Sequence, residues 1–377
     1  MKVAGLFAGV GGIELGLAKA GHRTDAVSEV WLPACAVLRT RIDAPNLGDV
    51  RTIASLPRVD LLTAGFPCQD LSQAGITAGI GGERSGLVQS VFALLDKQPT
   101  DWVLLENVSF MLRLDGGTAM RTIVEAFEER GYRWAYRVVN SLSFVPQRRE
   151  RVFFLASRSG DPAAVLLVDE HAPWTVQTTF DDHAHGFYWT EGVRGLGWGA
   201  DCVPTLKNGS TVGIASPPAM LRPSGTVETP DIRDAERLQG FEPGWTEPAG
   251  EVGRDSWRWS LVGNAVTVPV AAWLGGRLAE PGVYDLSRDR PLTGGWPRSA
   301  RFDGRGRRAV EINDRVGPGP SLGLERFLRF QGKPLSVRAT EGFLSRTARS
   351  SLRFKPGFLD RIAAHADAMR GDLPKAA

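Results

Sequence analysis

Val59-Asp60-Leu61-Leu62-Thr63-Ala64-Gly65-Phe66-Pro67-Cys68-Gln69-Asp70-Leu71-Ser72 decides the fold class of this 377-residue chain. The run 59–64 is short and largely apolar and stops at a Gly-Phe-Pro turn, which reads as a buried strand. A thiol just after such a strand stands at its carboxyl end, where open α/β sheets bind ligands. The polar, glycine-rich residues that follow, to about Gly86, have the composition of a loop that closes over a substrate. A lone cysteine is more often inert packing than a nucleophile. Cys68 takes its meaning from the rest of the chain.

Working outward, the first 157 residues alternate short apolar runs with helical patterns. That is the βαβ signature of a doubly wound, mostly parallel α/β sheet. Strands are predicted at 2–7, 24–29, 59–64, 101–105 and 151–156, and helices near 12–20, 32–40, 86–97 and 117–130. Gly21 and Gly131 follow two of these helices as C-terminal caps. From 158 to 230 aspartate, histidine, glycine and proline rise among scattered aromatics, which predicts a small, irregular, β-rich domain. Residues 231–245 predict a helix ending at Gly240-Phe241. Trp259-Ser260-Leu261-Val262 predicts a short strand, followed after Gly263-Asn264 by a helix to about Leu278. Residues 291–320, rich in glycine and arginine, read as a flexible connection, and amphipathic patterns follow near 321–331, 336–348 and 357–370. The expected organisation is 1–157, 158–230, 231–282 to complete the first domain, and a basic C-terminal extension, 283–377.

Hydrophobic residues make up 42% of the chain, enough for a full core without metals or disulfides. Cys35, Cys68 and Cys202 are odd in number and widely spaced, a pattern suited to a reducing compartment and not to zinc. The run His171–His185 lacks partner cysteines, so no metal is expected. No charged lead or cleavage site opens the sequence, and no apolar run approaches the ~20 residues that span a bilayer. A soluble cytoplasmic protein is expected, with no membrane partner. Residues 283–377 carry 19 Lys and Arg against 10 Asp and Glu, whereas the first 282 carry 26 against 32. A basic end on a mildly acidic body fits a polyanionic partner such as nucleic acid, and equally a solvated surface.

Three further stretches bear on chemistry. Phe7-Ala8-Gly9-Val10-Gly11-Gly12 follows the first strand, where glycines let backbone approach a ligand or a helix pack closely on the sheet. The dinucleotide fingerprint GxGxxG fails, because Glu14 stands at its third glycine. With Glu29 ending the second strand, suited to ribose hydroxyls, the pair indicates a nucleoside-containing ligand without a required pyrophosphate. Glu106, in Leu104-Leu105-Glu106-Asn107-Val108, offers an acid or hydrogen-bond partner at another strand end, or a helix-capping carboxylate. Gln147-Arg148-Arg149-Glu150-Arg151 sends three arginines into the next strand, suited to an anion, a base edge or a surface turn.

In order along the chain stand Phe7-x-Gly9-x-Gly11-Gly12, Gly65-Phe66-Pro67-Cys68-Gln69, Glu106-Asn107-Val108, Gln147-Arg148-Arg149-Glu150-Arg151, Arg237-Leu238-Gln239-Gly240-Phe241 and Gly263-Asn264-Ala265-Val266. This series strongly resembles the DNA (cytosine-5)-methyltransferases over about residues 1–157 and 231–280. The resemblance implies the S-adenosylmethionine-dependent methyltransferase fold, S-adenosylmethionine as cofactor and double-stranded DNA as partner. It makes Cys68 the nucleophile at carbon 6 of cytosine and sets Glu106 at the N3 and amino edge. Arg151 falls on O2, Arg149 supports the loop and the flipped nucleotide, and Asn107 positions the Cys68 loop. For the cofactor it implies Phe7 at the adenine, Gly9, Gly11 and Gly12 along the methionine part, and Glu29 on the ribose with Val30 beside the adenine. Asp49, next to Val50, accepts from the adenine amino group, and Pro67, Asn264 and Val266 complete the pocket. Gly5 departs from the family pattern, which usually has a polar residue there; this puts one minor cofactor contact in question.

The resemblance also implies a target-recognition role for 158–230, with Arg194, Lys207 and Asn208 as base-reading candidates. Ser72, Arg84 and Ser85 are candidates for phosphates. The biological setting it implies is a restriction–modification or related defence system, with partner proteins from that system. Rival readings are methylation of transfer RNA, a non-catalytic DNA-binding homologue and a nicotinamide oxidoreductase. The insert before Arg237, the intact Cys68, Glu106, Arg149 and Arg151, and the failed GxGxxG weigh against them in turn.

Overall fold

A computed structural model describes residues 1–67, 87–172, 177–207, 217–317, 319–320 and 322–371. Cys68, Ser72, Arg84, Ser85 and Asn208 lie outside these residues. The chain divides into two compact units. Unit 1 comprises 1–143, 150–173 and 265–318; unit 2 comprises 144–149, 174–264 and 319–377.

Unit 1 is built on one sheet of nine strands among the described residues. They are β1 (Lys2–Leu6), β2 (Arg23–Ser28), β3 (Leu61–Ala64), β4 (Trp102–Val108), β5 (Arg133–Asn140), β6 (Glu150–Ser157), β7 (Asp289–Pro291), β8 (Ser299–Phe302) and β9 (Arg307–Val310). Their order is β7-β9-β8-β5-β6-β4-β3-β1-β2. β2, β1, β3 and β4 are mutually parallel, and the pairings from β4 outward through β6, β5, β8, β9 and β7 are antiparallel. Two antiparallel steps restore direction, so β5 runs with β1–β4. The result is the mixed, mostly parallel sheet expected of the fold class.

Strands covered on both faces read as continuous apolar runs, and all four residues of β3 are buried. The helix Leu87–Lys97 buries Val88, Val91, Phe92, Leu94 and Leu95, a stripe at helical spacing. The helix Thr118–Glu129 buries Met120, Ile123, Val124 and Phe127 and ends where Gly131 adopts φ 75°. Phe127 lies 5.3 Å from Phe92, 5.4 Å from Tyr132 and 5.2 Å from Phe154, an aromatic centre to the core. On the other face α1 (Gly12–Lys19) packs on the helix Val268–Ala279. A Cβ on Gly16 would come within 2.4 Å of Ala271 Cβ and 2.6 Å of Val268 O, so only glycine permits this approach.

The chain passes from β1 outward to β2, then back across to β3 on the other side of β1. This reversal makes the crevice between the carboxyl ends of β1 and β3 the topological switch point, the usual ligand site of such sheets.

Unit 2 carries a five-stranded antiparallel sheet in the order 333–334, 227–229, 219–221, 185–187, 199–200. Its core joins Phe180, Phe187, Ala219, Leu221 and Val227 to Leu335, Phe343, Phe358 and Ile362.

Several sequence expectations need correction. Residues 259–262 are not a strand but lie in the helix Trp257–Asn264. The short apolar run was ambiguous, and Arg258 settles it by turning inward to Thr246 Oγ1 (3.0 Å) and Glu236 Oε1 (3.1 Å). The stretch 291–320 is not a flexible connection, because it supplies β8 and β9. Asp303 organises the turn between them by accepting from the Arg305 and Gly306 amides at 2.9 and 3.2 Å. Residues 283–317 therefore extend the unit 1 sheet, and the helices Val337–Thr347 and Phe358–Gly371 complete the unit 2 core. β5 was not anticipated, since Arg133 and Arg137 interrupt its apolar pattern. Arg137 is fully buried and donates to the carbonyls of Leu166, Val168, Asn313 and Arg315.

Candidate active site

The turn leaving β1 is built from backbone conformations that few side chains tolerate. Phe7, Gly9 and Gly11 adopt φ of 55°, 57° and 81°. A Cβ on Gly9 would meet nothing within 4 Å among the described residues, so they leave open space beside this backbone. Gly11 is held to glycine on its other side, where a Cβ would reach Ile42 at 2.8 Å. Gly12 begins α1.

Glu29, just past β2, organises the neighbouring edge. Its Oε2 accepts from the Gly9 amide at 2.9 Å, and Oε1 accepts from the Val30 and Trp31 amides at 2.8 Å each. The Glu29 backbone is locked in turn by Asn46, whose Oδ1 accepts from Glu29 N and whose Nδ2 donates to Glu29 O, both at 3.0 Å. Val30 is 60% exposed, an apolar side chain free to cover a ligand's flat face. Asp49 accepts from the Arg51 amide at 2.9 Å and pairs with its guanidinium at 2.6 Å. These bonds hold the Asp49 carboxyl below the usual carboxylate range. Val50 is buried beneath the short turn Val50–Thr52. Phe7, Glu29 and Pro67 thus follow the ends of β1, β2 and β3, and Asp49 caps the turn Val50–Thr52 ahead of β3. Val266, also in unit 1, is buried just ahead of the helix Val268–Ala279.

The second cluster stands at the end of β4. Glu106 is 8% exposed, and its Oε1 lies 3.1 Å from Arg151 Nε. The pair is diagonal across the ladder, since Glu106 faces Phe153 and Arg151 faces Val108. The Glu106 carboxylate reaches over Gly65, where a Cβ would lie 3.5 Å from its Oε2. Asn107, buried, donates from Nδ2 to Phe66 O at 3.0 Å and accepts from the Val108 amide at 2.8 Å. One strand end therefore grips the segment two residues before Cys68 and presents a carboxylate–guanidinium pair beside it. Glu106, Asn107 and Arg151 come together in unit 1.

Arg149 and Asn264 belong to unit 2. Arg149 is buried and donates to Leu206 O at 3.0 Å and Gly263 O at 3.2 Å. Gln147 donates to Leu238 O at 2.8 Å and accepts from the Leu206 amide at 2.9 Å, and Gln239 donates to Val262 O at 2.8 Å. Four separated sequence motifs are tied into one knot of buried amides and carbonyls. Sequence reading missed Gln147 and Gln239; their place inside the quoted motifs was the available signal. Arg194 is exposed. Lys207 pairs with Glu191 at 2.5 Å and lies 3.6 Å over the Tyr188 ring, so its charge is already engaged.

The family model for C-5 cytosine-specific DNA methylase matches residues 1–184. The chain is 44% identical over 378 aligned residues to Type II methyltransferase M2.BsuMI of Bacillus subtilis (strain 168), covering 96% of this chain and 97% of that protein. It is 37% identical to Type II methyltransferase M.BanI of Aneurinibacillus aneurinilyticus over 44% of this chain and 40% of the other. Among solved structures, S. pombe Dnmt2 methyltransferase aligns with a TM-score of 0.56 at 16% identity, covering 74% of this chain and 98% of that one. That likeness speaks for the fold. With its site residues at the ends of β1 to β4 and a Type II relative matched along nearly its whole length, the chain belongs to the C-5 cytosine-specific DNA methylase family.

Proposed function

We propose that this chain transfers a methyl group from S-adenosylmethionine to carbon 5 of cytosine at a specific site in double-stranded DNA. The setting is a restriction–modification or related defence system, a reading supported by the likeness to Type II methyltransferases. The observation that carries the chemistry is the Asn107–Phe66 hydrogen bond, 3.0 Å, on the strand end that presents Glu106 against Arg151.

The residues present fit the cofactor. Among the described residues, a glycine turn with open space beside Gly9 adjoins a carboxylate on a neighbouring strand end, and a buried carboxyl oxygen of Glu14 lacks a hydrogen-bond partner. When bound, S-adenosylmethionine supplies an electrophilic methyl group. Phe7, Val30 and Val50 hold the adenine, Asp49 accepts from its amino group, and Glu29 takes the ribose hydroxyls. Gly9, Gly11 and Gly12 follow the methionine part, and Pro67 and Val266 complete the pocket.

On the substrate side the Cys68 thiolate adds to carbon 6, and the displaced electron pair makes carbon 5 nucleophilic. A proton shared between Glu106 and N3 offsets the charge that develops, and Arg151 hydrogen-bonds O2. Once carbon 5 carries the methyl group, loss of its proton re-forms the 5,6 double bond and expels the thiolate. Asn107 holds backbone beside these groups, and Arg149 holds the Leu206 and Gly263 backbone within unit 2. The target base must leave the stack. Ser72, Arg84 and Ser85 are assigned to phosphates, and Arg194, Lys207 and Asn208 of unit 2 to target recognition; Lys207 has to release Glu191 to take part.

The test is base-resolution bisulfite sequencing of DNA from a methylation-deficient host expressing the protein, beside Cys68→Ala. Methylated cytosines confined to one short context and absent from the variant are expected. Soluble wild-type protein with no context above the variant would overturn the reading.

A further inference from the structure

Glu14 is the third residue of α1, and its carboxyl is turned down onto the sheet. Oε1 lies 3.5 Å from Thr63 Oγ1. A Cβ on Gly5 would sit 2.0 Å from the same oxygen, so the carboxyl occupies the place a side chain at position 5 would take. Gly5 and Thr63 are register partners on β1 and β3, the strands that flank the switch-point crevice. The side chain is 2% exposed, and Oε2 has no hydrogen-bond partner among the described residues. Burial raises the Glu14 pKa to about 7, and Glu29 adds to the shift, against the pull of Thr63 and of Glu14's own amide. Glu29 is the one charged group among the described residues that bears on it.

A buried acceptor without a donor is costly, and an unpaired buried carboxylate more so. The stable completion is a cationic donor. On the reading given above, the ligand of this crevice carries two cations, a primary ammonium and a sulfonium. Only the ammonium has N–H groups to give. We propose that Glu14 is the carboxylate that binds the ammonium of the cofactor's methionine part, standing in from the helix for the side chain that Gly5 lacks on the strand. Binding then ionises Glu14, and the protein releases its proton as the cofactor enters.

The sign follows from the raised pKa. Below pH 7 the free protein holds a proton that the complex does not, so affinity falls as pH falls. Wild-type protein should bind S-adenosylmethionine about eightfold more weakly at pH 6 than at pH 7.5. Isothermal titration calorimetry at pH 6, in two buffers of different ionisation enthalpy, should show close to one proton released. S-adenosylhomocysteine keeps the ammonium and should release the same proton; 5′-methylthioadenosine lacks it and should release none. Glu14→Gln, close in shape, should bind S-adenosylmethionine with no proton release and a flat pH dependence. Equal release with 5′-methylthioadenosine, its persistence in Glu14→Gln, or its absence in the wild type would overturn the assignment. Failure of all three ligands to bind would instead overturn the cofactor reading on which the assignment rests.

Discussion

At the scale of single residues, Gly5 and Glu14 depart from familiar patterns in opposite directions, and each departure makes room for the other. Gly5→Ala should push the carboxyl away, because its Cβ would fall 2.0 Å from Oε1. The expected result is S-adenosylmethionine affinity lower by roughly tenfold, the worth of one charge-assisted hydrogen bond, with folding preserved because the displaced atom ends a flexible side chain. An unchanged dissociation constant would show that the carboxyl's position does not matter. Asn107→Ala removes the 3.0 Å bond to Phe66 O and should lower the rate of methyl transfer while leaving cofactor affinity intact. Glu106→Gln should cost about 10²-fold or more in single-turnover rate, the usual worth of a positioned acid or base, again with cofactor binding retained. The place of Glu106 and Asn107 at the end of β4 was legible in the sequence because the apolar run before them stops there, and that of Arg151 because it leads into the apolar run of β6. Glu14 was legible only as a failed glycine, since its meaning depends on which residue faces it from β1. For Arg149 the sequence showed a charge but not its burial under the Leu206 and Gly263 carbonyls.

At the scale of elements, the βαβ half was readable because its strands are buried on both faces and its helices show one apolar stripe. Mispredictions fell where tertiary contacts override local pattern. Arg258 and Arg137 look like surface residues yet sit inside, satisfied by a carboxylate and by backbone carbonyls. The β8–β9 hairpin is arginine-rich, but Arg301 pairs with Asp289 at 2.5 Å and Arg307 with Glu128 at 2.8 Å. In unit 2 the last helix is structural. Phe358 is fully buried, 5.2 Å from Phe187 and 5.0 Å from Trp198, and Phe358→Ala should destabilise the unit by about 3–5 kcal/mol in denaturant titration. His185 gives the same core a pH response. Burial first, and Lys355 second, lower its pKa to about 4, so the folded unit keeps the imidazole neutral. Its contribution is complete above pH 6.5, where the unfolded chain is also neutral, and is lost as pH falls toward 4. The melting temperature should therefore drop between pH 7.5 and pH 5, and His185→Gln should flatten that drop.

At the scale of the whole molecule, the basic C-terminal quarter is not a loose polycationic arm. Part of it extends one sheet and part completes the other unit's core, with many arginines bound to acids. Removing 319–377 should therefore give insoluble protein or a broadened unfolding transition, because Phe180, Phe187 and Leu221 lose their cover. A soluble, cooperatively folding truncation would contradict this. Arg194→Gln, at an exposed base-reading candidate, should weaken binding to the target sequence by about 1–3 kcal/mol and relax specificity there while leaving binding to unrelated DNA nearly unchanged, as competition binding would read. The interleaving carries a practical corollary. The chain enters unit 2 three times, at 144–149, 174–264 and 319–377. A graft meant to move unit 2 into a relative cannot be cut as one central cassette. The hybrid would need the 174–264 insert, the terminal 319–371 segment and the short 144–149 link from the same parent, because unit 2 is inherited as a set.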